Sequence, residues 1–332
     1  MKKALVLMSG GLDSLLAAKL LLESGVSVTG LVFKSCFFNS QSGKAGCRQL
    51  KIPCKIIDFS KEHLKVVKEP FYGWGKAANP CIDCHLLMLK KAKKILEKEG
   101  WDFIATGEVL GERPFSQNKQ ALFLIAEKSG LKDKLLRPLS AKLLPKTLPE
   151  KKGWVKPEFL LAIQGRRRVE QIKLAGRYDL IYPAPAGGCI LCEKEFSKKL
   201  FDLFKKWSDC RPKDVDLLKL GRHFWHKKAK IVLGKNKKEN EKLGKIGIKK
   251  DVLIIPENFP GPTGLIRVLE GESFRVLGFR EKLVKKAKEL ILEHSKKIPN
   301  RVKYKTVLIN RNLDKTGLKK CENNQNIGLD KD

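Results

Sequence analysis

The stretch that most constrains this chain is Ser9-Gly10-Gly11-Leu12-Asp13-Ser14, set directly behind the apolar run Ala4-Leu5-Val6-Leu7-Met8. An apolar run this short, ending in Ser-Gly-Gly and followed by Leu15, Leu16, Ala17, Ala18, Leu20 and Leu21, predicts a buried strand, a tight turn and a helix. Two glycines let the backbone turn sharply and approach a ligand with no Cβ in the way. The N–H groups that open a helix, together with its dipole, attract phosphate. Ser9 and Ser14 add hydroxyl donors, and Asp13 suits a magnesium ion bridging phosphate oxygens. The loop has neither the Lys-Ser/Thr ending of a Walker loop nor the spacing of a dinucleotide fingerprint. The plain alternative is a Gly-Gly turn with Ser or Asp as a helix cap.

Ser-Gly-Gly-Leu-Asp-Ser resembles the PP-loop of the ATP pyrophosphatase (adenine nucleotide alpha-hydrolase-like) superfamily. The resemblance implies ATP, used to adenylate a carbonyl oxygen with release of pyrophosphate, and Ser9, Gly10, Gly11, Asp13 and Ser14 as its binding loop. Strands are predicted at Val26 to Phe33, Pro53 to Phe59, Trp101 to Ala105 and Gln120 to Ala126, with helices ending near Leu50 and spanning Leu86 to Glu99. Their alternation predicts an α/β fold, a doubly wound parallel sheet with helices on both faces. Ligands of such sheets lie beyond the carboxyl ends of the strands, so Thr106 and Gly107 fall on the same rim as the loop. The loop Gly111 to Lys119, with Arg113, Ser116 and Gln117, is either a cover for that rim or a mere connection. Pro157 to Ala175 reads as a helix broken by Gly165.

Charge separates the rest of the chain from an ordinary metabolic enzyme. Its 332 residues carry 69 Lys and Arg against 36 Asp and Glu, a net charge of +33. An excess of that size points to a polyanionic partner, RNA or DNA. Arg166, Arg167 and Arg168 are candidate phosphate contacts, with a solvated helix face as the alternative. Beyond Arg211-Pro212 the chain changes character, and a second, smaller basic α+β domain is expected, with paired strands at Val215 to Leu220 and Lys230 to Leu233. Its Val-Leu-Gly-Lys-Asn-Lys-Lys-Glu-Asn run resembles the RNA-binding domain of the NFACT-type ribosome quality-control proteins, which implies RNA contacts from Lys235, Lys237 and Lys238. Trp225, between His223 and His226, is a base-stacking candidate or a packed core aromatic. The expected organisation is a PP-loop domain over 1–180, a cysteine-bearing connector and helix over 181–212, the basic domain over 213–320 and a frayed tail over 321–332. No segment is long enough to span a membrane, and the apolar run after Met1-Lys2-Lys3 is too short for a signal peptide, so a cytoplasmic protein without a membrane partner is expected.

Nine cysteines in a reducing compartment read as thiols, metal ligands or catalysts rather than disulfides. Asn79-Pro80-Cys81-Ile82-Asp83-Cys84 places two of them one turn apart at a helix start, where the dipole favours thiolates. Cys189 and Cys192 repeat the spacing behind Gly187-Gly188. Two such pairs suit a tetrahedral zinc site or an iron–sulfur cluster, with Cys81, Cys84, Cys189 and Cys192 as candidate ligands. Asn79-Pro80 with Cys84 resembles the Asn-Pro-x-x-x-Cys segment of the tRNA-specific 2-thiouridylases, and Gly188-Cys189 resembles their second catalytic segment. That resemblance implies Cys84 and Cys189 as the catalytic pair, with Asp13 at the nucleotide. Cys81 departs from it and resembles the iron–sulfur-dependent tRNA thiolases, in which three cysteines hold a 4Fe-4S cluster; zinc is the alternative metal. The expected function is therefore ATP- and Mg2+-dependent sulfur transfer to RNA, tRNA first among candidates, from sulfide or a persulfide-carrying protein. Two other classes stay open: a small-molecule ATP pyrophosphatase forming an amide or nitrile, and a non-catalytic ATP-sensing RNA- or ribosome-binding factor.

Overall fold

The computed structural model describes residues 1–184, 189–268 and 277–310, so Gly187-Gly188 and the expected frayed tail lie outside the described residues. The chain divides into two compact units, 1–197 and 198–332.

Unit 1 runs β1 (Lys3–Leu7), α1 (Leu12–Glu23), β2 (Ser27–Lys34), α2 (Gln41–Gln49), β3 (Cys54–Asp58), α3 (Ser60–Lys68), α4 (Cys81–Glu99), β4 (Phe103–Ala105), α5 (Lys119–Lys128), β5 (Leu135–Leu136), α6 (Leu148–Lys151) and α7 (Val169–Arg177); α8 (Lys194–Lys206) straddles the division. The strands form one parallel sheet in the order β3-β2-β1-β4-β5. Side chains alternate across it: Ala4, Val6, Phe103 and Ala105 pack on one face with α1, while Leu5, Ile104 and Leu135 pack on the other with α4 and α5. Strand order reverses between β1 and β4, which opens a crevice at their carboxyl ends.

Two readings of this unit are corrected. Gln120 to Ala126 is not a strand but part of α5: Ala121, Leu122, Ile125 and Ala126 are its buried stripe at helical spacing, and Asn118 caps it, accepting from the Ala121 N–H at 2.8 Å. Pro157 to Ala175 is not one broken helix, because only a short 3-10 turn, Pro157–Phe159, precedes α7.

Unit 2 contains α9 (Pro212–Leu218), β6 (Arg222–His226), β7 (Ala229–Leu233), α10 (Lys237–Ile246), β8 (Val252–Pro256), β9 (Gly264–Val268), α11 (Leu277–Glu293) and β10 (Tyr304–Leu308). Its antiparallel sheet has the order β10-β8-β9-β7-β6. Ala229, Ile231 and Ile266 face Leu283, Ala287 and Ile291 of α11, whereas Val232 and Leu265 face Leu217 of α9 and Leu243 of α10. The expected strand at Val215 to Leu220 is helical instead; Pro212 opens α9, where a missing N–H costs nothing. Arg267, fully buried in β9, is held by Asp251 at 2.7 Å and Asp214 at 3.2 Å. Among the described residues no helix is long and apolar enough to cross a membrane.

Candidate active site

The loop between β1 and α1 is shaped by its own serines. Ser14 Oγ accepts the Gly10 N–H at 3.1 Å and donates to the Gly11 carbonyl at 2.9 Å, while Ser9 Oγ accepts the Gly11 N–H at 3.2 Å. Gly10 sits at φ +81°, and a Cβ there would lie 2.1 Å from the Ser42 carbonyl oxygen, so neither the conformation nor the space admits a side chain. Gly107, just past β4, is equally constrained: its Cβ would meet the Asp13 carbonyl carbon at 2.4 Å. Thr106 and Gly107 therefore stand against the loop at the mouth of the crevice. The Thr106 hydroxyl is committed, donating to Glu108 at 2.9 Å.

Charge in the crevice centres on Asp13. Burial, then the nearby Glu112, push its carboxyl up to about 6, against the pull of Arg168 and Arg113. Asp13 Oδ1 and Glu112 Oε2 are buried without a hydrogen-bond partner. Arg168 pairs with Glu112 and lies 3.6 Å from Asp13. The three arginines expected to contact RNA thus separate: Arg166 and Arg167 are exposed, while Arg168 is half-buried and engaged with the two carboxylates. Lys235, Lys237 and Lys238 are exposed in unit 2, where Asn236 caps α10 by accepting from the Glu239 N–H.

Beside the crevice, α4 begins at Cys81, and Asp83 ties its first turn to the preceding loop by accepting the Phe71 and Tyr72 N–H groups. The Asn79 side chain lies between thiols from distant segments. Its Oδ1 accepts from Cys81 Sγ at 2.9 Å, and its Nδ2 donates to Cys192 Sγ at 2.7 Å. The two chain segments also dock by backbone, Ala78 N–H donating to the Leu191 carbonyl at 3.1 Å. Cys84 feels Cys189 and Cys81 electrostatically, and Cys189 feels Cys192 and Cys81, so the four thiols share one neighbourhood. All four are free of disulfides.

Their protonation differs from expectation. The helix start was expected to favour thiolates, yet burial pushes Cys81 up, Cys84 well up and Cys189 up to about 11. Desolvation of a thiolate outweighs one helix dipole here. Thiol sulfur suits iron or zinc, but among the described residues no group of three or more His, Cys, Asp or Glu side chains stands ready to hold a metal. Asn79 lies between two of the four thiols, engaging Cys81 and Cys192.

Arg113 connects the two halves of the site, lowering the pKa of Asp13 on one side and of Cys81 and Cys189 on the other. The Gly111 to Lys119 segment thus lies beside both crevice and thiols. Glu108 forms a second link. Burial opposes its ionisation, but Arg137 at 2.8 Å and His85 at 2.7 Å outweigh that and hold it far below the usual carboxylate range. His85 adjoins Cys84, so this buried network joins β4 to the start of α4. Glu108 and Glu112 were missed in the sequence; two acids within seven residues of a strand end, on a loop with Gly107 and Gly111, were the available signal.

Comparison with known proteins adds a family to this geometry. Residues 2–148 match the tRNA methyl transferase HUP domain family. The tRNA-specific 2-thiouridylase of Clostridium botulinum (strain Eklund 17B / Type B) is 37% identical over 129 residues, 32% of this chain and 35% of that protein. The tRNA-specific 2-thiouridylase of Helicobacter hepaticus is 34% identical over 166 residues, 42% of this chain and 47% of that protein. A solved structure titled as a predicted subunit of tRNA methyltransferase from Methanocaldococcus jannaschii aligns with 53% of this chain and 76% of its own at 13% identity, with a TM-score of 0.36. The chain thus spans between about a third and a half of the curated relatives it matches, and the family match over residues 2–148 lies in unit 1.

Proposed function

We propose that this protein is an ATP-dependent tRNA sulfurtransferase, whose loop Ser9 to Ser14 binds the nucleotide and whose four thiols deliver sulfur. The observation that carries the reading is the Asn79 bridge, which holds Cys81 and Cys192 at one place beside the crevice. A small-molecule pyrophosphatase would have no use for two cysteine pairs brought together from segments this far apart. The curated relatives named as tRNA-specific 2-thiouridylases support the same choice.

In this reading the phosphates of ATP approach the opening turn of α1, where N–H groups have no helical partner. Asp13 and Glu112, each with an unpartnered buried oxygen, would hold Mg2+, which neutralises charge on the departing pyrophosphate. A base carbonyl oxygen of the RNA attacks the α-phosphorus, the bond to pyrophosphate breaks, and the base carries AMP. One thiol of the Cys84–Cys189 pair bears a sulfane sulfur taken from a persulfide donor. That sulfur attacks the activated carbon and AMP leaves. The other thiol then attacks the inner sulfur, freeing the thiolated base and leaving a disulfide that an external dithiol must reduce. Arg113 supplies the positive charge that helps buried thiols ionise. Arg166 and Arg167 are exposed for RNA phosphates, and unit 2, NFACT-like in its Lys235 to Asn240 run, would grip the RNA backbone.

Mass spectrometry of RNA nucleosides from a strain lacking the gene tests the reading. Loss of one thiolated nucleoside, restored by the intact gene but not by Cys84→Ser or Cys189→Ser, is the expected result; an unchanged nucleoside profile overturns it. Anaerobically purified protein is expected to be colourless. Brown protein holding stoichiometric iron would move the sulfur from a cysteine to a cluster on Cys81, Cys84 and Cys189.

A further inference from the structure

Two cations lie buried side by side in the sheet of unit 2 and are treated differently. Lys230 of β7 pairs in register with Arg267 of β9, and each is only 1% exposed. Arg267 has two carboxylates, Asp251 and Asp214, and gives a further hydrogen bond to the Lys213 carbonyl. Lys230 has no hydrogen bond or ion pair among the described residues. Its ammonium lies 3.9 Å from the ring centroid of Trp225, its register partner on β6. A ring face is a weak substitute for a counter-ion. An isolated ammonium in that position is costly unless something anionic reaches it.

The structure offers an approach. Lys230 lines a cavity of about 290 Å³, together with Lys199, Asp202, Arg222, His223 and Lys235. That volume is close to the lower bound, about 300 Å³, of sites that take a small molecule, and far too small for a folded partner. The one carboxylate in the wall, Asp202, attracts Lys230 without forming an ion pair, while Lys199 and Lys206 repel it. Burial, the largest influence, brings Lys230 down to about 7, so the empty cavity leaves it poised between charged and neutral. Burial likewise holds His223 down to about 3, so its ring is a neutral polar group at the wall. Arg222, Lys230 and Lys235 around one acid suit an anion that accepts from several donors at once, as the two non-bridging oxygens of a phosphodiester can.

We infer that this cavity is a phosphate-binding site for a nucleotide, with Lys230 as the buried counter-charge and Trp225 holding its ammonium in place. The source favoured by the net charge of +33 is a phosphate of single-stranded RNA rather than a free nucleotide. The inference rests on unit 2 alone and is independent of sulfur transfer.

The test is equilibrium binding by the full chain of a twelve-nucleotide single-stranded RNA and, separately, of AMP, at fixed salt, with a thermal melt of each variant. Lys230→Met is expected to weaken RNA at least tenfold, whereas Lys242→Met, an exposed lysine of α10 outside the cavity, changes it less than twofold. RNA binding within twofold of the parent in a folded Lys230→Met protein overturns the inference if AMP is also unaffected. Loss of AMP alone keeps the phosphate site and overturns RNA as its source. If Lys230→Met does not fold, Asp202→Asn removes the repelling acid and is expected to tighten RNA at least twofold; no change overturns the inference.

Discussion

Asn79 is the residue on which the thiol arrangement turns, since one side-chain amide uses its acceptor on Cys81 and its donor on Cys192. Asn79→Ala leaves both thiols without that partner and is expected to cut RNA thiolation roughly tenfold while ATP binding stays within twofold, a split that reflects lost positioning rather than lost nucleotide. Arg113 acts at longer range, by charge. Arg113→Met is expected to slow iodoacetamide alkylation of Cys189 at neutral pH severalfold, read by peptide mass spectrometry, because burial, Cys192 and Cys81 disfavour its thiolate and only the Leu191 backbone hydrogen bond would then oppose them. Gly107 shows how little room the crevice has. Gly107→Ala would place a methyl into the Asp13 backbone and is expected to cost about 1–3 kcal/mol in chemical denaturation and to abolish ATP binding.

Elements bring these residues together by close backbone approach. Helix α2 reaches the turn between β1 and α1 through Gly43, whose Cβ would meet the Met8 carbonyl at 2.6 Å, and Gly46, whose Cβ would meet Leu15 at 2.8 Å. Strand β7 carries a different tension, a lysine in a run whose other members are Ala229, Ile231, Val232 and Leu233, all buried. Lys230 titrates near 7 in the folded chain against 10.5 ordinarily. Between those values the unfolded chain holds a proton that the folded chain does not, so stability rises with pH from about 7 to about 10.5 and is lowest below 7. Lys230→Met is expected to flatten that rise and to stabilise the ligand-free protein below pH 7 by about 1–3 kcal/mol, measured by urea unfolding across pH.

For the whole molecule, the charge of +33 bears on how the proposed RNA partner is met. Affinity is expected to fall steeply with salt, with a slope of log K against log salt of about −0.7 for each phosphate neutralised on a single strand. A slope near zero would show that the excess of lysine serves no polyanion. The division at 197/198 falls within α8, a continuous amphipathic helix that no Gly- or Pro-rich linker announces.

The legible part of this protein was local. The turn from β1 into α1 was readable because Ser9 to Ser14 encode a turn, a positive φ at Gly10 and a helix start within six residues, and the parallel sheet followed from short apolar runs alternating with helical stripes. Periodicity failed where the run was short: residues 121–126 are apolar without a break, and only the packing of α5 selects Ala121, Leu122, Ile125 and Ala126 as its buried stripe. What only the tertiary structure decided depends on through-space burial and pairing. Arg168 sits in a run of three arginines yet pairs with Glu112, which is 56 residues away. Burial pushes Cys81, Cys84 and Cys189 toward the protonated thiol, and one amide engages Cys81 and Cys192, because desolvation and contact act on a folded environment that spacing does not encode. The amino-acid order by itself determined which backbone could form; packing decided which charges survive inside it, since the energy of a charge depends on what surrounds it rather than on its neighbours along the chain.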